Sequence, residues 1–135
     1  MPAATRGATT ASGPAPGAGP GWMGGARRAA QGLRATTART RGASHSVYVI
    51  LLHDGRRAEP WGLYVGQTAR DPDWRFDQHK LGYKASGAAR RFGVRLLPEL
   101  VSHLNPMRRW EAVELEAALA EQFRQAGVPW VEGGH

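Results

Sequence analysis

The chain has 135 residues, a formal charge of +7 and no cysteine, and this composition excludes several classes of protein. Without cysteine there is no disulfide, no cysteine-based zinc site and no thiol nucleophile, so a metal must use oxygen or histidine ligands. Oxygen ligands favour hard ions such as Mg²⁺ or Mn²⁺. No apolar run approaches the roughly 18 residues of a membrane span, so we expect no membrane partner.

Residues 1–44 differ in charge from the rest of the chain. They contain six arginines and no acid, whereas residues 45–135 hold 12 basic and all 11 acidic residues. Because large apolar side chains are few, burial cannot offset an ordering entropy of roughly 1–2 kcal/mol per residue, and we predict a disordered basic tail whose removal leaves the fold intact. Two alternatives stay open: an organelle transit peptide, and a start codon upstream of the true one, with Met23 as the next candidate.

Residues 45–135 are expected to form one α+β domain, a three-stranded antiparallel sheet flanked by helices. Apolar β-branched runs and turn signals predict the strands, and caps and periodicity predict the helices. In chain order we predict a strand at 47–52, a turn at 53–55, a strand at 61–66, a helix at 72–80, a loop and short helix at 83–92, a strand at 94–101 interrupted by Pro98, and a helix at 107–126.

The last predicted helix has a helical period of apolar residues that should face the core. The residues of this stripe are Trp110, Val113, Ala117, Ala120 and Phe123. Of the acids on this helix, Glu116 borders the stripe, because it is three residues from Val113 and adjacent to Ala117. Glu114 and Glu121 lie further from the stripe, so Glu116 is the acid expected to face the sheet.

Four short motifs occur in order along these elements. Two strand motifs, Ser-Val-Tyr at 46–48 and Tyr-Val-Gly at 64–66, face one another in the predicted hairpin. The helix that follows carries Arg75 and, four residues later, His79, and Gly82 ends it. The last helix carries an E-A-x-x-x-E pattern at 111–116. Over about 90 residues, these motifs resemble the GIY-YIG nuclease superfamily.

The resemblance implies a metal-dependent endonuclease that hydrolyses phosphodiester bonds of DNA, with RNA as an open alternative. Tyr48 would be the general base, helped by a cation or a proton relay because free tyrosine has a pKa near 10. Tyr64 would support it, and Arg75 would clamp phosphate oxygens. His79 would relay a proton or contact phosphate. Glu116 would hold one Mg²⁺, which Mn²⁺ could replace.

Two further readings compete with the enzyme. Many members of the superfamily carry an Asn after the catalytic glutamate, and residues 117–135 contain none, which favours a nucleic-acid-binding module that kept the fold and lost catalysis. A protein-interaction domain is the third reading. A basic run without acids predicts either a surface that follows a nucleic-acid backbone or a solvated face. Its members are Lys80, Lys84, Arg90, Arg91 and Arg95.

The motifs do not specify a partner, a substrate sequence or a compartment. A DNA-acting domain this small is expected to form a homodimer or to take its specificity from a partner protein. Residues 1–44 lack the apolar core of a signal peptide. We therefore expect a cytoplasmic, nucleoid-associated protein of bacterial type, with organelle targeting by residues 1–44 left open.

Overall fold

The computed structural model describes residues 19–82 and 87–134. Within these ranges the helices are α1 (Met23–Gln31), α2 (Pro72–Leu81), α3 (Gly87–Phe92), a 3₁₀ turn (Pro98–Leu100) and α4 (Arg109–Gln125). The strands are β1 (Ser46–His53), β2 (Trp61–Thr68), β3 (Gly93–Leu96) and β4 (Val131–Gly133). No helix in the described part of the chain has both the length and the apolar character needed to cross a membrane.

The sheet has the strand order β3-β1-β2-β4 and is mixed. β1 pairs with β2 and with β3 in antiparallel fashion, as predicted, while β4 runs parallel to β2. The prediction of three antiparallel strands therefore missed the short strand β4, whose three residues are too few to show an alternating pattern. The predicted third strand ends early, at Leu96, since Pro98 begins the 3₁₀ turn.

Alternating side chains of β1 divide the core between the two faces of the sheet. Val47, Val49 and Leu51 belong to a core formed with α4, α1 and the segment around the 3₁₀ turn. The neighbouring side chains Tyr48 and Ile50 lie on the other face, in a smaller cluster with residues of α2 and α3. The fold thus places the first predicted tyrosine under α2, on the face away from α4.

The prediction of disorder is wrong for residues 19–44, which form part of the fold. Met23, Ala26 and Ala30 of α1 are at most 5% exposed and lie in the core against α4. His103 extends this attachment by hydrogen bonding the Ala30 carbonyl through Nε2 at 3.1 Å. Small alanines four residues apart allow close helix packing, which a count of large apolar residues does not detect. Residues 1–18 lie outside the described part of the chain.

The buried side of α4 also differs from the predicted stripe. The buried apolar residues are Ala112, Leu115, Leu119, Ala120 and Phe123. Trp110 and Val113 are exposed, 53% and 44% respectively, and Ala117 is exposed as well, so the prediction is wrong for these three and correct for Ala120 and Phe123. The error arose because two glutamates, Glu111 and Glu116, occupy buried positions that a polarity pattern assigns to solvent.

Candidate active site

Tyr48 is positioned by a glycine on the neighbouring strand. Tyr48 of β1 pairs directly with Gly66 of β2, so both project to the same face of the sheet. A Cβ atom at Gly66 would lie 2.5 Å from both Cζ and Oη of Tyr48, a distance that no real contact has. The tyrosine ring therefore lies across Gly66, and only glycine leaves room for it. This explains the glycine of the Tyr-Val-Gly motif in steric terms.

Helix α2 brings Arg75 and His79 toward this ring. Asp71 caps the helix, since its side chain accepts a hydrogen bond from the Asp73 amide at 2.8 Å, and Gly82 ends it with a φ of 89°. Arg75 and His79 are four residues apart and so share one side of the helix. His79 is 1% exposed and Arg75 is half-buried. The capping and helix bounds predicted for this segment are confirmed to within one residue.

Two tyrosines and His79 form one aromatic cluster. The Tyr48 hydroxyl and His79 Nε2 are hydrogen bonded at 2.9 Å, and this bond is buried. The ring centroid of Tyr64 lies 6.2 Å from that of Tyr48 and 5.4 Å from that of His79. Arg75 also reaches the cluster, since its guanidinium hydrogen bonds Tyr48. Four of the five predicted catalytic side chains thus lie in one cluster.

The electrostatics of this cluster keep both hydrogen-bonded groups neutral at pH 7. The pKa of Tyr48 is raised well above its ordinary value, first by burial, then by Tyr64, with Glu116 adding to the rise and Arg75 opposing it. Burial and then the Arg75 charge lower the pKa of His79 to about 4. A neutral histidine can accept the phenolic proton at Nε2. His79 Nδ1 is buried and has no hydrogen-bond partner among the described residues.

Glu116 completes the set of five. It is 7% exposed on α4, and its charge is near enough to Tyr48 to contribute to the raised pKa of the phenol. Glu114, two residues away, is exposed. Although the predicted stripe was wrong in part, the choice of Glu116 over Glu114 as the inward-facing acid is confirmed.

Glu111, the first glutamate of the same motif, has a different environment. Its carboxylate accepts four hydrogen bonds from Thr36 and Thr37, two from backbone amides at 2.7 and 2.8 Å and two from hydroxyls at 3.0 and 2.6 Å. Burial by itself would raise the pKa of Glu111, but these bonds outweigh it and lower the pKa to about 2. All four bonds join α4 to the segment before β1. Glu111 is therefore a structural anchor, which the motif alone did not indicate.

The donor set around Tyr48 suits a hard cation held by one carboxylate. No group of three or more His, Asp or Glu side chains that could hold a metal occurs in residues 19–82 and 87–134. Magnesium commonly binds through one or two carboxylates together with substrate phosphate oxygens and water. Glu116 fits this pattern, since it supplies a buried carboxylate while phosphate and water would supply the other ligands.

A cavity of about 290 Å³ borders Tyr48, the first turn of α2 and the segment after β3. Its wall includes Asp71 and Asp73, whose charges would repel a phosphate. Asn105 also lines it, but the Asn105 side chain is engaged with both backbone groups of Val47, at 2.9 and 2.8 Å. Asn105 thus holds the start of β1 in position.

The basic residues predicted to follow a nucleic acid have mixed environments. Lys80 donates from Nζ to the carbonyls of Arg90 and Gly93, both at 3.0 Å, so it joins α2 to the start of β3. Arg91 lies over the Phe92 ring at 5.3 Å, and Arg95 is 3.9 Å from Glu99. All four described members of the run are exposed. Lys84 lies outside the described residues.

Comparisons with known proteins assign no family to this arrangement. No family model, no curated protein and no solved structure matches the chain. The function must therefore be inferred from the chemistry of the chain's own side chains, Tyr48, Tyr64, Arg75, His79 and Glu116.

Proposed function

We propose that the protein is a metal-dependent endonuclease that hydrolyses phosphodiester bonds of DNA. The observation that carries the proposal is that the buried Tyr48 hydroxyl hydrogen bonds a neutral imidazole and a guanidinium, while a second phenol ring stacks beside Tyr48 and the charge of a buried carboxylate acts on it. Hydrolysis of a phosphodiester needs a base for water, a cation for the phosphate oxygens and stabilisation of the leaving oxygen. These groups supply each of those requirements.

Tyr48 and His79 act together as the base. Because its pKa is raised, Tyr48 is a phenol at neutral pH and cannot remove a proton from water as a free phenolate. Its hydrogen bond to His79 Nε2 resolves this difficulty. As the water oxygen forms its bond to phosphorus, the water proton passes to the Tyr48 oxygen and the phenolic proton passes to Nε2. His79 can accept it, since the imidazole is neutral before the reaction.

Arg75 and Glu116 stabilise the charge that develops on the phosphate. The Arg75 guanidinium presents a planar fork of donors to the non-bridging oxygens. Glu116 would hold the divalent ion, which when bound polarises the phosphate and stabilises the leaving oxygen. Tyr64, whose ring packs against both Tyr48 and His79, keeps the two hydrogen-bonded groups in place.

We further propose DNA as the substrate, with RNA as the alternative, and a cytoplasmic, nucleoid-associated location. The site contains no base-reading module among the described residues, so a second copy or a partner protein would supply specificity. One observation favours a binding module without catalysis: the described residues contain no group of three His, Asp or Glu side chains that could hold a metal, and no Asn follows Glu116 in the sequence. The two functions differ in one measurable property, cleavage.

The test is cleavage of supercoiled plasmid by the purified chain in Mg²⁺, with chelator as the control. Glu116→Gln keeps the shape of the side chain and removes its charge, so it should lower the rate by at least about 10²-fold, the scale of losing one electrostatic stabiliser. Glu114→Gln is the matched control, on the same helix and exposed, and should cleave like the parent chain.

Melting curves of both variants are the control for folding, and both variants should unfold cooperatively like the parent chain. Cleavage that survives full chelation, or that depends on Glu114 and not on Glu116, would contradict the proposal. A folded parent chain that binds DNA but never cleaves plasmid, duplex or single-stranded substrates would favour the binding module.

A further inference from the structure

An open groove lies beside the start of α4, away from the Tyr48 cluster. It has a volume of about 740 Å³. We call it the Trp110 groove, and its lining includes Gly42, Ser44, Arg108, Arg109, Trp110 and Val113. None of these residues belongs to the candidate active site. The buried stripe of α4 faces the sheet, so the groove lies on the side of the helix that faces solvent.

The groove presents large apolar side chains to solvent. Trp110 is 53% exposed and Val113, one turn later on the same side, is 44% exposed. Exposed apolar residues that adjoin one another and are rimmed by polar residues are typical of ligand-binding grooves. An indole at this exposure offers a flat face on which another ring can stack.

The groove is strongly basic. Arg108 and Arg109 line it, and Gly42 and Ser44 of its other wall follow the exposed residues Arg39 and Arg41 in the same loop. The ion pairs found in residues 19–82 and 87–134 are Arg56–Asp54, Arg95–Glu99 and Arg124–Glu121, and none includes these four arginines. Among the described residues, Glu114 is the one acidic side chain that lines the groove. The positive charge of the groove is therefore not neutralised within the described part of the chain.

The walls of the groove are held in place by hydrogen bonds. The Arg39 amide donates to the Pro106 carbonyl at 2.7 Å, and the Ser44 amide donates to the Met107 carbonyl at 2.9 Å. Arg108 Nη2 donates to the Arg41 carbonyl at 2.7 Å and packs over the loop. Binding in the groove would consequently require little ordering of the backbone.

We propose that the Trp110 groove binds single-stranded nucleic acid, with a base stacked on Trp110 and phosphates held by the surrounding arginines. Aromatic side chains and arginines interleaved on one groove are the chemistry that recognises a single strand, because every base has a face that stacks and every nucleotide a phosphate. A second copy of this chain is a poorer occupant. It would bring Arg108 and Arg109 of both copies together without an acidic partner on either side other than Glu114, and like charges facing each other oppose association.

Binding in this groove goes beyond the proposed nuclease activity and does not need it. The test is fluorescence anisotropy of the full chain with a fluorescein-labelled oligothymidylate, in chelator so that no cleavage occurs. Trp110→Ala should weaken binding about 5- to 150-fold, the effect of removing one stacking platform. Trp110→Phe keeps a stacking ring and should stay within about threefold of the parent chain.

Charge is tested separately from stacking. Arg109→Gln should lower the slope of log affinity against log salt by about 0.7, the value for one phosphate contact on a single strand. Arg124→Gln is its matched control, an exposed arginine at the far end of the same helix, and should leave affinity and slope unchanged. Because these substitutions lie on the surface, we expect melting temperatures like that of the parent chain.

Three results would overturn the inference. Unchanged affinity of Trp110→Ala for the oligothymidylate would show that no base stacks there. Equal loss in Arg109→Gln and Arg124→Gln would show attraction to net charge and not to this groove. A parent chain that sediments as a dimer, together with a Trp110→Ala variant that sediments as a monomer, would assign the groove to a second copy. Loss of plasmid cleavage in Glu116→Gln has no bearing on any of these readings.

Discussion

Substitution of Glu111 by Gln is expected to destabilise the fold by removing the anchor between α4 and the segment before β1. A glutamine has one carbonyl oxygen, so it can accept about half of the four hydrogen bonds that the carboxylate receives from Thr36 and Thr37. The NH₂ group of the glutamine would also face the amide and hydroxyl donors of Thr36 and Thr37, and two donors cannot bond each other. Each lost bond to a charged acceptor is worth roughly 1.5–3 kcal/mol, so we expect a loss of about 3 kcal/mol in the free energy of unfolding.

For a chain of this size, that loss corresponds to a fall of about 10 °C in melting temperature. The control is Glu114→Gln, on the same helix but exposed, which should melt within about 1 °C of the parent chain because surface substitutions seldom matter. Thermal unfolding followed by circular dichroism measures both. Cleavage by folded Glu111→Gln below its melting temperature should need Mg²⁺, as we propose for the parent chain.

The stabilisation by Glu111 also depends on pH in a definite direction. The pKa of Glu111 is lowered in the fold from 4.5 to about 2, so its contribution is fully present above pH 4.5 and is lost as pH falls through 2. The difference in melting temperature between the parent chain and Glu111→Gln should therefore be constant from pH 7 to about pH 5 and shrink toward pH 2. A difference that persists at pH 2, or a variant as stable as Glu114→Gln at pH 7, would refute the assignment of Glu111 as an anchor.

Three further predictions follow from particular contacts. Gly66→Ala places a Cβ 2.5 Å from the Tyr48 ring, so the phenol should be displaced and the cleavage rate should fall at least about tenfold. Gly87→Ala is the control, because an added Cβ there meets no atom within 4 Å, and it should cleave at the parent rate. A fully active Gly66→Ala variant would contradict the role of Gly66 in positioning Tyr48. Because the pKa of His79 is about 4, the cleavage rate should stay constant as pH falls from 7 to about 5 and then decline as His79 becomes protonated. A decline centred on pH 6.5 would argue against His79 as the proton acceptor. Ala26→Glu puts a charge into the buried α1–α4 contact and should lower the free energy of unfolding by at least about 3 kcal/mol. Arg27→Glu, at an exposed position of the same helix, should leave it unchanged. Equal melting temperatures of the two variants would contradict the packing of α1 in the core.

The candidate site was largely predictable because its residues are marked by local patterns. The hairpin brings Tyr48 and Tyr64 to one face through the period of two in strands. Arg75 and His79 share a side of α2 through the helical period, and the capping residues define where that helix begins and ends. What these patterns did not indicate is the buried hydrogen bond between Tyr48 and His79, which joins residues 31 positions apart.

The sequence by itself determined the order of the elements from β1 to α4, the β1–β2 hairpin, the bounds of α2 and the identity of the inward-facing residues Tyr48, His79 and Glu116. Each of these depends on neighbours within a few positions, where steric and capping preferences act. Only the tertiary structure decided that residues 19–44 are folded, that β4 pairs in parallel with β2, and that Trp110 faces solvent while Glu111 does not. These features depend on partners far along the chain: a buried glutamate is stable on α4 because Thr36 and Thr37, about 75 positions earlier, satisfy its charge.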